Sequence, residues 1–382
     1  MKEINPSLLP LSGIRVLDFS TLLPGPLASL ILAEAGAEVI KVERPPQGDE
    51  MRAYPPKFGE DSAYFALLNR GKRSISLDLK DPEASTSLKP LIQTVDILLE
   101  QFRPGVMDRL GLGYEAVKKI NPKIIYCSLT GYGQKGPQAP MAGHDLNYLA
   151  ETGLLSLGAT PNGAPVIPPA LIADIGGGSY PVVINILLAL LRRNRTGEGC
   201  YLDIAMSDNL FTFMFWAIGS GFAAHQWPQP GKGLFTGGSP RYQIYQTKDG
   251  QFLAAAPLEN KFWNNFCDLI GLAEEFRDDS KSPERTLTEV AQIIQSRTAQ
   301  EWEQIFSGQD VCCSLVTTLP KALESEHFRA RGLFDRQLLN HTGEAIPALP
   351  TPVASNFLKK EPADTYPTLG ADNALIQKSS PG

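Results

Sequence analysis

Three places in this chain carry a polar residue where local structure would aim it. The first is Ala173-Asp174-Ile175-Gly176-Gly177-Gly178, an acid at the mouth of an apolar run followed by three glycines. One reading makes Asp174 a helix N-cap, accepting backbone N–H groups and complementing the helix dipole. The other makes it part of a site, because each of three consecutive glycines costs a helix about 1 kcal/mol relative to alanine. Glycines there are explained if something must lie against the backbone. The second place is Gly143-His144-Asp145-Leu146-Asn147-Tyr148. His144 follows a small-residue turn and opens a helix, with Asp145 the natural cap. It is read either as a surface histidine or as a proton carrier, since imidazole titrates near neutrality. The free N–H groups of a helix start would suit an enolate oxygen. The third is Glu259, between a strand and a helix, read either as a helix N-terminal acid or as a group that orients a histidine.

Cations are scattered through the first half: Lys41, Arg44, Arg52, Arg70, Lys72, Arg73, Lys80, Arg103 and Arg109. For any single one, a solvated surface charge is the plain reading. Arg44, Lys80 and Arg103 each follow a predicted strand, however. In an open α/β sheet that edge binds ligands, and a polyphosphate would need such cations.

The elements that must position these residues alternate. Ile14 to Ser20 reads as a buried strand, Leu27 to Ala35 as an apolar helix closed by Gly36, and Glu38 to Val42 as the next strand. This βαβ unit favours a parallel sheet. Strands are expected at Arg73 to Leu79, Asp96 to Glu100, Lys123 to Ser128 and Tyr201 to Ala205. Helices are expected at Pro82 to Gln93 (with Pro82 in its first turn), Tyr114 to Ile120, Asp145 to Leu157, Ile175 to Arg193 and Ser207 to Ala223. Gly and Pro dominate from His225 to Pro240, marking a change of domain. A hairpin follows around Lys248-Asp249-Gly250, then helices at Lys261 to Ile270, Leu287 to Gln295 and Ala299 to Phe306. The tail after Ile346 is Pro-rich and expected to wrap over the surface. The expected fold is α/β: a large domain with a Rossmann-like parallel sheet over residues 1–225, a smaller α+β domain over 226–320, and a segment 321–382 returning to the first.

Composition narrows the function classes. With 43% hydrophobic and 20% charged residues, the 382-residue chain suits a large core or two domains. A net charge of −6 and a pI near 5.4 speak against a nucleic-acid binder. Five cysteines without C-x-x-C, and four histidines without H-x-x-x-H, speak against a disulfide framework or a metal centre and for a reducing compartment. The start lacks a secretory pattern and the end a lipidation motif, so a cytoplasmic setting is expected. The run Tyr180 to Leu191 is shorter than a membrane span and is read as a buried helix. The first βα turn has only Gly25 between two prolines, not G-x-G-x-x-G, which excludes the usual dinucleotide pyrophosphate site.

The motifs LSGIRVLDFSTLLPGPLASLILAEAGAEVIKVERP, NRGKRSISLDL, DILLEQFRPGVMDRLGLGY, GHDLNYLA, IADIGGG and GLFTGGSPRYQIYQTKDGQFLAAAPLENKFW follow one another along nearly the whole chain. In order and spacing the sequence resembles the class III CoA-transferase (CaiB/BaiF-type) and α-methylacyl-CoA racemase family. The resemblance implies an acyl-CoA substrate, no permanently bound cofactor, an interlocked homodimer, and a place in fatty acid metabolism. Family transferases use the matching aspartate to form an acyl-enzyme anhydride. Racemases of 2-methylacyl-CoA pair it with a histidine supported by a glutamate, and Asp174, His144 and Glu259 stand at those positions. The racemase branch is favoured, with CoA transfer as the alternative. By the same resemblance Arg44 lies near the nucleotide phosphates, Leu77, Asp78 and Leu79 near the adenine, and Arg103 and Arg109 near phosphates and pantetheine. Gln101 stands where some members carry Asn. Gly143, Asp145, Asn147 and Tyr148 would hold the thioester end, with Gly176 and Gly177 admitting it to the backbone.

Overall fold

The computed structural model describes residues 9–159, 163–359, 361 and 363–377. Residues 1–8 and 378–382, on which the reading of the termini partly rests, lie outside them. The described chain divides into two compact units. One is drawn from Met1–Thr152, Pro169–Phe213 and His327–Gly382, the other from Gly153–Pro168 and Met214–Glu326.

The first unit is built on six strands: β1 (Arg15–Asp18), β2 (Glu38–Glu43), β3 (Arg73–Ser76), β4 (Ile97–Glu100), β5 (Ile125–Thr130) and β6 (Cys200–Ala205). All neighbours pair in parallel, in the order β3-β2-β1-β4-β5-β6. Val16, Leu17, Ile40, Leu98 and Leu99 are fully or almost fully buried, as the continuous apolar runs of a doubly covered parallel sheet require. Helix α1 (Pro24–Glu34) connects β1 to β2 and is buried throughout, with prolines in its first turn. Gly36 closes it at φ +105°, donating its N–H to the Ala33 carbonyl. The order of strands reverses between β1 and β4, so a crevice must open at the C-terminal ends of those two strands.

Several elements differ from the sequence reading. The helix after β3 spans Ala84–Ile92, leaving Pro82 outside it. Helix α2 (Asp145–Glu151) is shorter than expected, ending near Gly153, whose φ is +86°. The chain expected to be one helix from Ser207 is α4 (Met206–Leu210), then a 3₁₀ turn at Phe211–Met214 and a helix Phe215–Ala224. A π-helical turn, Ala173–Ser179, leads into α3 (Tyr180–Thr196). Together they make 24 residues, long and apolar enough by length and composition alone to cross a bilayer. This helix is only half-buried. Val182, Ile186, Ala189 and Leu190 pack inward, while Ile184, Leu187, Leu188 and Leu191 form an exposed apolar stripe.

The tail after Ile346 does more than wrap the surface. Ala363–Thr365 pairs in parallel with Gln337–Leu339, and the Tyr366 hydroxyl, buried, donates to the Phe58 carbonyl. Beyond it, Asp372 and Asn373 accept the Ser74 and Ser76 N–H groups at 3.0 and 2.7 Å, and the Asp372 N–H returns to the Ser74 carbonyl. The tail thereby covers edge strand β3, which would otherwise offer unpaired backbone groups.

The second unit carries an antiparallel sheet of β7 (Gln243–Gln246), β8 (Phe252–Ala255) and β9 (Cys313–Leu315), in the order β9-β8-β7. Gly250, at φ +77°, turns the β7–β8 hairpin. Helices α5 (Asn260–Ile270), α6 (Pro283–Gln295) and α7 (Ala299–Phe306) contribute Trp263, Phe266, Val290 and Trp302 to its core.

Candidate functional site

Two clefts lie at the C-terminal ends of the parallel strands, one on each side of the strand-order reversal. The first, of about 610 Å³, is lined after β1 and β2 by Phe19, Thr21 and Arg44, and after β3 and β4 by Leu77, Asp78, Leu79, Lys80 and Phe102. The second, of about 480 Å³, is lined by Leu22–Pro24 after β1, Gln101–Pro104 after β4 and Leu129–Tyr132 at the end of β5. Gly143, His144, Asn147, Tyr148, Asp174 and Met206 complete it. Phe102 borders both clefts. The structure thus gathers Arg44, Leu77, Asp78 and Leu79 on one side, and Gln101, Arg103, Gly143, His144, Asn147, Tyr148 and Asp174 on the other. Arg109 is exposed at the end of the short helix Val106–Arg109 and lines neither cleft.

His144, not Asp145, is the capping residue of α2, with extended backbone at φ −127°. Its N–H donates to Asn147 Oδ1 at 3.0 Å. The turn before it is fixed from within: the Tyr148 hydroxyl donates to the Gly143 carbonyl at 2.6 Å, and Tyr132 meets the Tyr148 ring edge-on at 5.1 Å. Gly131 is required there, because a Cβ would lie 2.4 Å from the Tyr148 hydroxyl oxygen.

Asp174 is not a cap either. Ile172 holds that position, and Asp174 sits inside the π-helical turn, a feature often found at functional sites. Asp145 is buried and turned away from its own helix, so that its Oδ1 accepts the Asp174 N–H at 3.0 Å. Burial pushes the Asp174 carboxyl up, and the nearby Asp145 charge pushes it further; His144 pulls the other way, and the result is about 6. A carboxyl tuned there can both give and take a proton near neutral pH.

The three glycines have a packing reason rather than the expected one. A Cβ on Gly177 would lie 2.4 Å from the Met206 carbonyl oxygen, on Gly176 2.7 Å from the Phe213 ring, and on Gly178 3.1 Å from Met206 Cγ. The space beside them is filled by protein, and neither Gly176 nor Gly177 lines the cleft.

Glu259 stands at the capping position of α5 in the second unit, exposed and without a side-chain capping bond. The plain surface reading fails for four cations of the first unit, since Lys41, Arg52, Arg70 and Lys72 are buried. Lys41 Nζ donates to the Ser20 carbonyl at 2.6 Å and pairs with Asp49 at 2.9 Å. Asp49 in turn accepts the Leu22 N–H at 3.2 Å. The pair therefore grips both flanks of Thr21 and holds Leu22 at φ +62°, a backbone region costly for a branched residue. Lys72 Nζ donates to the Pro26 carbonyl, Ser29 Oγ and Asn69 Oδ1, each at 2.8 Å, tying the start of α1 to Asn69. Gln101 Oε1 accepts the Gly25 N–H at 3.1 Å, tying the β4 loop to the start of α1.

Missed by the sequence reading were the cleft-lining Leu22, Phe102, Thr130, Tyr132 and Met141. Thr130 and Phe102 had a usable signal: each lies at or just past the end of a predicted parallel strand.

The fold and site define the class: an α/β protein with a carboxyl–imidazole cleft and a second, cation-edged cleft at the C-terminal ends of its parallel strands, where such folds bind ligands. The model of CoA-transferase family III matches residues 11–373, and the chain belongs to that family of CoA-transferases and racemases. It is 36% identical to the α-methylacyl-CoA racemase of Mus musculus, covering 94% of this chain and 90% of that protein. It is 33% identical to the succinyl-CoA:glutarate CoA-transferase of the same species, covering 97% and 86%. Among solved structures, Rv3272 from M. tuberculosis superposes with a TM-score of 0.81 at 30% identity, covering 96% of this chain and 99% of that one.

Proposed function

We propose that this protein is a racemase of 2-methyl-branched acyl-CoA thioesters. A thioester α-proton is weakly acidic, so its removal needs a placed base and a held enolate oxygen. In this reading His144 and Asp174 address opposite faces of the α-carbon and exchange roles with direction. The N–H of Asp145, in the first turn of α2, takes the enolate oxygen. The nucleotide lies in the cleft of Arg44 and Leu77–Leu79, and pantetheine passes Phe102 and Arg103. Coenzyme A enters as part of the substrate, with no permanently bound cofactor. The observation that carries the reading is the shared cleft of His144 and Asp174, with Asp174 tuned to about 6. A second copy of the chain completes the enzyme, a reading supported by the exposed stripe Ile184, Leu187, Leu188 and Leu191. The setting is cytoplasmic.

The second reading is CoA transfer, supported by the transferase relatives. There Asp174 attacks the acyl carbonyl and the CoA thiolate leaves; the thiolate then attacks the Asp174 carbonyl of the anhydride and expels the donor acid. The acceptor carboxylate displaces the thiolate from that Asp174 thioester, and the thiolate takes the acceptor's acyl group from the new anhydride, freeing Asp174. Enzyme in deuterated water separates the two. Racemisation washes deuterium into the α-position of 2-methylacyl-CoA without any acceptor acid, and His144→Ala lowers that exchange by about 10²–10⁴-fold. No exchange across a panel of branched acyl-CoAs, together with a hydroxylamine-sensitive adduct on Asp174, would establish transfer instead.

A further inference from the structure

Thr130 is the last residue of β5 and lines the cleft that holds His144 and Asp174. It is 8% exposed, and its hydroxyl has no hydrogen-bond partner among the described residues. Buried polar groups are ordinarily paired, and an unpaired one weakens the fold that contains it. Thr130 is also fixed in place. β5 pairs it with Ala205, and the next residue, Gly131, accepts the Ser207 N–H at 3.0 Å through its carbonyl. Gly131 packs beneath the Tyr148 hydroxyl, which holds the Gly143 turn leading into His144. A dry, unpaired hydroxyl is therefore anchored beside the turn that carries the imidazole, at a sheet end where α/β folds bind ligands.

We propose that, when the acyl-pantetheine chain binds, the Thr130 side chain turns so that Oγ1, sealed from the cleft in the free protein, donates a hydrogen bond to a carbonyl oxygen of that chain. A substrate carbonyl supplies the acceptor that the protein withholds, and binding then recovers what folding leaves unpaired. This rests on the reading that the cleft takes an acyl-CoA, and is indifferent to whether racemisation or transfer follows. Two carbonyl types offer the same chemistry: the thioester and the pantetheine amides.

The test is calorimetric titration of the full-length protein with CoA, which has only the amides, and with isobutyryl-CoA, which adds the thioester carbonyl and is unchanged by α-proton exchange. Thr130→Val keeps the side-chain shape and removes the hydroxyl. Its ligand-free melting temperature should equal or exceed the wild type's, since no protein bond is lost. Its affinity should fall about five- to ten-fold, and Thr130→Ser should restore it. Equal weakening of both ligands assigns the bond to an amide, and weakening of isobutyryl-CoA alone assigns it to the thioester. Wild-type affinity of Thr130→Val for both ligands overturns the proposal. A wild-type protein that binds neither ligand overturns the cleft reading beneath it as well.

Discussion

Asp49 and Asp174 lie in the same unit and serve opposite ends. Burial pushes the Asp49 carboxyl up, but Lys41 at 2.9 Å and the Met51 and Leu22 N–H groups more than offset this, so it stays below the usual carboxylate range. Asp174 is less enclosed, yet its neighbour is another acid, Asp145, and its carboxyl rises to about 6. The first arrangement spends a cation to make a carboxylate inert and structural. The second leaves it poised. Depth of burial alone does not mark a working acid; the partner decides.

The largest expected effect breaks the compensated side. Lys41→Met leaves Asp49 charged and unpaired in the interior and should destabilise by about 3–5 kcal/mol, read from urea unfolding. A loss within experimental error would show that Asp49 does not depend on Lys41. Next comes Gly177→Ala, whose methyl must displace the Met206 carbonyl oxygen now 2.4 Å from its position. A cost of about 1–3 kcal/mol is expected, as for overpacked cores. A substrate-admitting glycine would instead cost binding and spare stability, so measuring both sharpens the reading of the Asp174 turn.

The smallest effect has the opposite sign. Because Asp174 is raised from 3.8 to about 6 in the folded protein, folding favours its protonated form. The ionised carboxylate therefore costs stability above about pH 6, and that cost disappears as pH falls from 6 to below 4. Asp174→Asn should stabilise the protein at pH 8 by about 1–2 kcal/mol, after discounting for solvent. The gain should shrink toward zero near pH 4, read from unfolding curves at the two pH values. A gain that does not vary with pH would mean that the carboxyl is not perturbed.

Much of the fold could be read from the chain itself because parallel strands buried on both faces are continuous apolar runs. RVLD, EVIKVE and ILLE therefore announced themselves, and the order of βα units implied a sheet whose strand ends bind ligands. Asp174 and His144 stood out because three glycines and a Gly-His-Asp triplet are costly patterns in otherwise ordinary helix starts. Their neighbours did not stand out. Lys41, Asp49 and Lys72 look like any surface charges in sequence, and only the fold shows them buried, bringing Asp49 to Lys41 and, 43 and 46 residues away, Ser29 and Pro26 to Lys72.

The sequence by itself determined the alternation of elements, the closing of α1 at Gly36, and which acid and imidazole were worth watching. Those properties are local: they follow from periodicity, capping and backbone freedom within a few residues. Tertiary structure alone decided that Asp145 faces the Asp174 amide, that the glycines accommodate Met206 and Phe213, that the tail covers β3, and that Thr130 has no partner. Each of these depends on groups far apart in the chain coming within a few ångströms, and no spacing rule in one dimension encodes that distance.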